Sequence, residues 1–265
     1  MRRALRGTTN VTMRLALPLF LAVLTACFAE TVELSDDQAL EIGRRIWRNE
    51  CGGTVSGLTS WNPGEEFASL GIAHFIWYPE GKRGPFEESF PKLVAYLGSH
   101  GTEVPGWMRG PCPWKTRASF MADVRSSRMQ ALRELLVATI ALQARFAALR
   151  LERALPRMIA AAPVSKRETV RDNFFRVSRE HLGPYALMDY VNFKGEGVNP
   201  AERYRGEGWG LLQVLESMPG GGRALPEFAK AADRVLTRRV ANSPPSRNEA
   251  KWLAGWRDRL QTYLN

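Results

Sequence analysis

The sequence has few residues of the kinds that bind metal ions. It contains only three histidines and three cysteines in 265 residues, and their spacing matches no common metal site. A glycine-rich loop of the kind that binds phosphate is also missing. After the N-terminal segment no apolar run reaches eighteen residues, so no internal membrane span is predicted. We therefore expect no metal site and no cofactor.

The first 26 residues have the organisation of an export signal. Four arginines within residues 1–14 precede an apolar stretch, 15–26, that is too short to span a membrane. The stretch ends in Leu-Thr-Ala before Cys27, which resembles a bacterial lipoprotein signal. That resemblance implies cleavage before Cys27 and acylation of its thiol. The alternative is an ordinary secretory signal that is cut after Ala29.

Both kinds of signal predict an exported protein. Phe28, rather than an aspartate, follows the acylated cysteine, so we expect a periplasmic outer-membrane lipoprotein that binds the membrane through Cys27. The net charge is +10, and removal of 1–26, with four arginines and no acid, leaves +6. An exported chain of this charge does not predict a nucleic-acid partner. It is better suited to acidic peptidoglycan strands.

Two cysteines, Cys51 and Cys112, remain after the signal segment. In an oxidising compartment they predict a disulfide. The alternative is two unpaired buried thiols.

The first predicted helix carries a carboxylate at its inner end. Ser35 and Gln38 form a capping-box pattern, and apolar residues recur along one face up to Ile46. Glu50 continues that face, and Gly52-Gly53 predicts the end of the helix. The pattern therefore places a carboxylic acid on the buried side of a helix end.

The rest of the chain predicts an α+β fold that is predominantly helical. Residues 54–78 indicate a small sheet, with aromatic and branched residues along 67–78. Residues 79–114 indicate a long structured loop around a short helix at 90–97. Pro156 is expected to end a long helix, and Ser246 with Glu249 to cap the last one. Further helices are predicted at 121–155, 167–181, 185–193, 208–218 and 225–240.

Four segments in order resemble the bacteriophage-type lysozymes of the lysozyme-like superfamily. Residues 69–74, Ser-Leu-Gly-Ile-Ala-His, are similar to the hairpin motif Thr-Ile-Gly-x-Gly-His, with Ala73 in place of the second glycine. Residues 186–195 are similar to the family's Ala-Leu-x-x-Phe-x-Phe-Asn-x-Gly helix. Residues 210–215 and 236–239 are similar to its Leu-Leu-x-x-Leu and Arg-Arg helices.

The resemblance implies a lysozyme-like fold, with a small β-hairpin subdomain beside the active-site cleft. The domain organisation is then a signal peptide (1–26), a tether (27–34) and one domain (35–265) with a large insertion around 79–180. The implied activity is cleavage of the bond between N-acetylmuramic acid and N-acetylglucosamine in peptidoglycan. Glu50 is the implied general acid.

The second carboxylate does not follow the family pattern, because Pro63 stands where the family has an aspartate or cysteine. Glu65 or Glu66 is the candidate base of an inverting muramidase. In lytic transglycosylases of the same superfamily, one glutamate acts as acid and then as base, so no second carboxylate is needed. Ser69 is expected to position water or substrate.

Five further residues are candidates for substrate binding, each with a structural role as its alternative: His74, Trp77, Asn192, Trp209 and Gln213. Two other functions remain open at this point. One is a non-catalytic peptidoglycan-binding or envelope-scaffold lipoprotein on the same fold, and the other is a chitosanase-like glycosidase. An open groove at Glu50, faced by the Ser69 hydroxyl and by Glu65 or Glu66, favours an enzyme. A Glu50 locked in a salt bridge under packed side chains favours the scaffold.

Overall fold

The computed structural model describes residues 31–265, so the predicted signal and Cys27 lie outside the described residues. Helix α1 (Asp36–Cys51) begins with the predicted capping box: Gln38 N donates to Ser35 Oγ over 3.2 Å, and Ser35 N donates to Gln38 Oε1 over 3.1 Å. It ends at Gly52, whose φ of 62° is the left-handed conformation that glycine adopts readily. Both predicted ends of α1 are confirmed.

A three-stranded antiparallel sheet follows, with the order β1 (Thr59–Ser60), β2 (Ala68–Leu70) and β3 (Phe75–Trp77). The prediction of a small sheet is confirmed. The strand-like segment 67–78 is two strands, because Gly71, with φ of 73°, opens a turn between them.

The other elements are mainly helices, so the described chain is α+β and predominantly helical, as predicted. A two-stranded hairpin, β4 (Arg203–Tyr204) and β5 (Glu207–Gly208), is the remaining sheet. The remaining helices are α2 (Phe90–Ser99), α3 (Arg117–Ala122), α4 (Ser127–Ala138), α5 (Ile140–Ala161), α6 (Arg167–Ser178), α7 (Gly183–Lys194), α8 (Leu211–Ser217), α9 (Ala224–Asn242) and α10 (Leu253–Gln261). No helix within residues 31–265 is long and apolar enough to cross a membrane.

The single helix predicted over 121–155 is wrong, because the segment forms three helices. Ser126 caps the start of α4, where its hydroxyl accepts from Met129 N over 3.1 Å. Thr139 separates α4 from α5. Pro156 lies inside α5 and does not end it, since Leu155 and Met158 keep that helix packed in the core on both sides of the proline.

The segment predicted as an insertion, 79–180, supplies the centre of the fold. Gly43 of α1 packs directly on Ile140 at the start of α5, where a Cβ on the glycine would lie 2.5 Å from the isoleucine side chain. Phe146 of α5 packs against Phe75 of the sheet, with 5.6 Å between ring centroids. Residues 31–265 therefore form one compact unit around α5.

The predicted tether is packed where the structure describes it. Val32 and Leu34 are buried, and Val32 N donates to Glu152 of α5. The part of the tether from Val32 onward is therefore attached to the folded unit.

The capping box predicted at Ser246 and Glu249 is wrong. Two single-turn 3-10 helices, Pro245–Arg247 and Glu249–Trp252, precede α10. Glu249 is 1% exposed, and its carboxylate accepts from Arg239 Nε over 2.7 Å and from Arg247 Nε over 2.9 Å. These ion pairs link the buried Glu249 carboxylate to α9 and to the turns that precede α10.

We expect Glu249→Gln to lower the free energy of unfolding by about 3 kcal/mol at pH 7. Burial alone would raise the pKa of Glu249, but hydrogen bonds, first from Arg239, outweigh it and lower the pKa from 4.5 to about 2. The ionised carboxylate therefore stabilises the fold fully above pH 4.5, and this contribution is lost as the pH falls toward 2. Urea unfolding at pH 7 and pH 3 measures both effects. An equal deficit of the variant at both pH values contradicts the assignment.

Candidate functional site

Glu50 lies in the last turn of α1, between the C-terminal helix and the sheet. One carboxylate oxygen accepts a hydrogen bond from Arg259 Nη2 of α10. The other lies 3.7 Å from His74 Nδ1, in the turn between β2 and β3. The Glu50 side chain is 12% exposed, so it is largely enclosed but not sealed from solvent.

Asp189 of α7 holds Arg259 in place. The guanidinium donates from Nε to Oδ2 over 2.7 Å and from Nη2 to Oδ1 over 2.8 Å, a bidentate pair. Tyr263 donates its hydroxyl to Oδ2 over 2.7 Å, and Asn49 donates its amide to Oδ1 over 3.2 Å. Asp189 is completely buried, and four hydrogen bonds satisfy its carboxylate.

The charges in this cluster keep Arg259 cationic and the neighbouring phenols neutral. Burial alone would lower the pKa of Arg259, but the hydrogen bonds and charge of Asp189, and then the charge of Glu50, outweigh it and raise the pKa. Burial, and then the charge of Asp189, raises the pKa of both Tyr185 and Tyr263. The phenols therefore act as hydrogen-bonding groups. Below, "the Glu50 cluster" means Glu50, His74, Asp189 and Arg259.

Gln143 of α5 fixes the turn that carries His74. It is fully buried, and its Oε1 accepts from Ile72 N over 3.0 Å while its Nε2 donates to Leu136 O over 2.6 Å. His74 itself has a φ of 49°, which is uncommon for a residue other than glycine. The side chain of His74 is thereby held beside Glu50.

The other predicted catalytic residues do not join Glu50. Ser69 is 4% exposed, and it lies in register with Ser60 and Ile76 on one face of the sheet. Glu65 accepts from Asn62 over 3.2 Å. Glu66 lies 3.7 Å from Lys82 and is 77% exposed. Within residues 31–265 no hydrogen bond or ion pair links Ser69, Glu65 or Glu66 to Glu50.

Two predicted substrate-binding residues are structural. Trp77 is 1% exposed and packs against Phe90, with 4.6 Å between ring centroids, so its faces are not available to a sugar. Gln213 caps α8: its Oε1 accepts from Gly210 N over 2.9 Å and its Nε2 donates to Gly197 O over 3.0 Å. Its amide is therefore already satisfied by the backbone.

Within residues 31–265 neither of the remaining two candidates forms a hydrogen bond or an ion pair with Glu50. Trp209 is 9% exposed, and the guanidinium of Arg239 lies 4.2 Å from the centre of its ring. Trp209 therefore belongs to a cation–π stack. Asn192 lines a cavity between α5 and α7 that does not include Glu50.

The predicted disulfide is wrong, because Cys51 and Cys112 are free and buried. Cys51 Sγ donates to Gly71 O over 3.6 Å, and Cys112 Sγ donates to Trp114 O over 3.5 Å. Each thiol therefore packs as a small buried side chain with its own backbone acceptor.

We expect both thiols to be inert in the folded protein. Burial, and for Cys51 also the charge of Glu50, raises the pKa of Cys51 to about 12, and burial raises that of Cys112 to about 11. At pH 8 only about one thiol in a thousand or fewer is then a thiolate. In a Cys27→Ser variant, Ellman's reagent should detect no thiol in the native protein and two after denaturation without a reductant. If no thiol is detected in the denatured protein, Cys51 and Cys112 form a disulfide after all.

Sequence reasoning missed Arg259 and Asp189. A signal for Asp189 exists, because it is the only charged residue in the otherwise apolar run 185–191, which predicts a buried acid with a partner. Arg259 has no such signal, because α10 contains arginines at 257 and 259. Only the fold shows that Arg259 binds Asp189, whereas Arg257 binds Asp233.

The described part of the chain contains no group of three or more histidine, cysteine or acidic side chains arranged to hold a metal ion. No protein-family model, curated protein or solved structure matches the chain.

Proposed function

We propose that this chain is an exported peptidoglycan glycosidase with a lysozyme-like fold, in which Glu50 is the general acid. It cleaves the bond between N-acetylmuramic acid and N-acetylglucosamine. The observation that carries the proposal is the Glu50 cluster: a partly accessible carboxylate ends α1 beside the sheet and shares one arginine with a buried aspartate. The lipid anchor at Cys27, the periplasmic location and the membrane partner remain predictions from the N-terminal sequence.

Accessibility distinguishes the two acids of the cluster, because one guanidinium binds both carboxylates. Asp189 is fully hydrogen-bonded and buried, whereas Glu50 has fewer partners and some exposure. Glu50 is therefore the acid of the cluster that a substrate oxygen is able to reach, as the role of general acid requires.

The positions of the other acids favour the transglycosylase form of this activity. An inverting muramidase needs a second carboxylate across the sugar ring to activate water. Glu65 and Glu66 have partners of their own elsewhere, and Asp189 is sealed in the core. With a single available acid, Glu50 donates a proton to the glycosidic oxygen and then accepts one from the 6-hydroxyl of the muramic residue, which closes an anhydro ring.

A non-catalytic binding or scaffold protein is the second candidate function. The salt bridge between Glu50 and Arg259, with Glu50 only 12% exposed, is the observation that favours it. In that case the cluster ties α1, α7 and α10 together and the glycan binds elsewhere.

The test is mass spectrometry of the muropeptides that the purified protein and its Glu50→Gln variant release from purified peptidoglycan. Products with anhydro ends that appear only with the parent protein support the proposal in its transglycosylase form. Products with reducing ends indicate a muramidase, with Glu65 or Glu66 as the base. No release by either protein, while both still sediment with the cell wall, overturns the enzyme proposal in favour of the scaffold.

A further inference from the structure

A cavity of about 110 Å³ lies between α5 and α7, beside the start of α2. Its buried lining is apolar and includes Leu151 and Met188. Its more exposed lining is charged, with four cations and two carboxylates. These are Lys92, Arg150, Arg153 and Arg157, with Glu87 and Glu196.

Each of the two carboxylates forms an ion pair with one of the four cations. Glu196 accepts from Arg157 Nη2 over 2.6 Å, and Glu87 is bound by Lys92. Arg150 lies farther from Glu87, at 3.8 Å. The side chain of Arg153 forms no ion pair within residues 31–265. The cavity therefore carries two cations more than its own acids neutralise.

Arg150 is the more enclosed of these two cations, with a third of its side chain exposed. Burial lowers the pKa of Arg150 even though Glu87 and Glu196 oppose that effect. The acids of the protein therefore only partly neutralise the Arg150 cation, and a bound anion would supply the remaining negative charge.

The size of the cavity limits what it can hold. A dry cavity of about 150 Å³ encloses one benzene ring, and this one is smaller, so a hexosamine ring does not fit. A carboxylate with the adjoining one or two carbons does. The amide of Asn192, which lines the cavity, is able to donate a hydrogen bond to the same carboxylate.

The cavity is adjacent to the Glu50 cluster. Asn192 follows Asp189 by three residues on α7, so the two side chains are neighbours along the helix, with Cβ atoms about 5–6 Å apart. On the opposite side, the Arg150 guanidinium lies 5.9 Å from the centre of the Phe75 ring, and Phe75 directly follows His74. The cavity is therefore lined by the same helix that carries Asp189, and it lies next to the strand that follows His74.

We propose that this cavity is a subsite that binds a carboxylate carried by the glycan strand. The inference rests on the proposed function and narrows its substrate class to anionic glycans, which excludes neutral chitin and cationic chitosan. Peptidoglycan supplies carboxylates from two sources: its stem peptides, and the lactyl group of muramic acid where the peptide has been removed.

Three fluorescent probes of equal sugar number distinguish these sources: strands with stem peptides, strands stripped by an amidase, and N-acetylglucosamine oligomers. Binding is measured by anisotropy in the Glu50→Gln background, which keeps the strands intact. We expect an anionic probe to bind roughly tenfold more tightly than the neutral oligomer at low salt. Preference for the first probe alone identifies the stem peptide, and preference that extends to the stripped strands identifies the lactyl group.

The variant Arg150→Gln/Arg153→Gln should bind all three probes with the affinity of the neutral oligomer. The matched control, Arg171→Gln/Arg203→Gln, loses the same charge at exposed positions that do not line the cavity, and it should keep the preference. If the double variant does not fold, the single variant Arg153→Gln tests the proposal instead. Arg153 is exposed, so this variant should fold, and it should lose part of the preference for anionic probes.

The inference is overturned if the parent protein shows no preference, or if the Arg150→Gln/Arg153→Gln variant retains it. This failure is distinguishable from failure of the proposed function. If the protein cleaves glycan strands but shows no preference for anionic probes, only the subsite proposal is contradicted. If the protein shows a preference that depends on Arg150 but cleaves no strand, the glycosidase proposal is contradicted and an anion-binding scaffold is supported.

Discussion

Replacement of Glu50 by glutamine is expected to lower the rate of glycan cleavage by about 10²- to 10⁴-fold, the usual contribution of a general acid. Glutamine has nearly the same shape, and its amide oxygen still accepts the hydrogen bond from Arg259. It has no acidic proton for the glycosidic oxygen. The variant should therefore fold and bind strands normally while it cleaves them very slowly, as measured by initial rates of muropeptide release.

The controls for this prediction are Glu65→Gln and Glu66→Gln. Each removes one carboxylate of the same type from the segment before β2, where its partners are Asn62 and Lys82, not Glu50. With Glu50 as both acid and base, the two control variants should cleave at nearly the parent rate. A loss at Glu66 as large as that at Glu50 would contradict the single-acid mechanism and indicate a second catalytic carboxylate.

The elements that the sequence predicted best are those whose signals are local. The capping box at Ser35, the apolar face of α1 and the glycine after it lie within one segment, so both ends of the helix follow from nearby residues. The same argument places Glu50 at the inner end of α1. The small sheet also has a local signal, because aromatic and branched residues are concentrated along 67–78.

Predictions failed where distant parts of the chain compete for a residue. Ser246 and Glu249 have the spacing of a capping box, but Arg239 of α9 binds the Glu249 carboxylate instead. Cys51 and Cys112 predict a disulfide because they are the two cysteines after the signal segment, yet each thiol is buried and donates to a different backbone carbonyl. Tryptophan is a residue type that stacks on sugar rings, so Trp77 is a reasonable candidate from the sequence. The fold, however, packs its ring against Phe90.

The candidate site illustrates the same limit. Glu50 and His74 were predicted from segments 24 residues apart, whereas Asp189 and Arg259 come from helices that follow much later in the chain. No spacing rule relates residues 50, 189 and 259. Their association depends on how α1, α7 and α10 pack, which is decided by the buried apolar faces of those helices.

Removal of the Asp189 carboxylate should have the largest effect on stability. Asp189→Ala is expected to lower the free energy of unfolding by about 3–5 kcal/mol, because it leaves the Arg259 cation without its buried partner. It also removes the acceptor for Tyr263, whose hydroxyl is fully buried in the core. Asp189→Asn keeps the volume and part of the hydrogen bonding, so its cost should be smaller, about 1–3 kcal/mol. Urea unfolding measures both values.

The chain contains a matched control for this prediction. Arg257 donates from Nε to Asp233 Oδ1 over 2.7 Å, the same atom type and distance as in the Arg259–Asp189 pair, but both partners are 40–50% exposed. Asp233→Ala should cost less than about 1 kcal/mol, because solvent screens the exposed pair and hydrates the remaining arginine. Equal costs at the two positions would contradict this prediction, because they would show that the fold does not depend on the burial of the Asp189 pair.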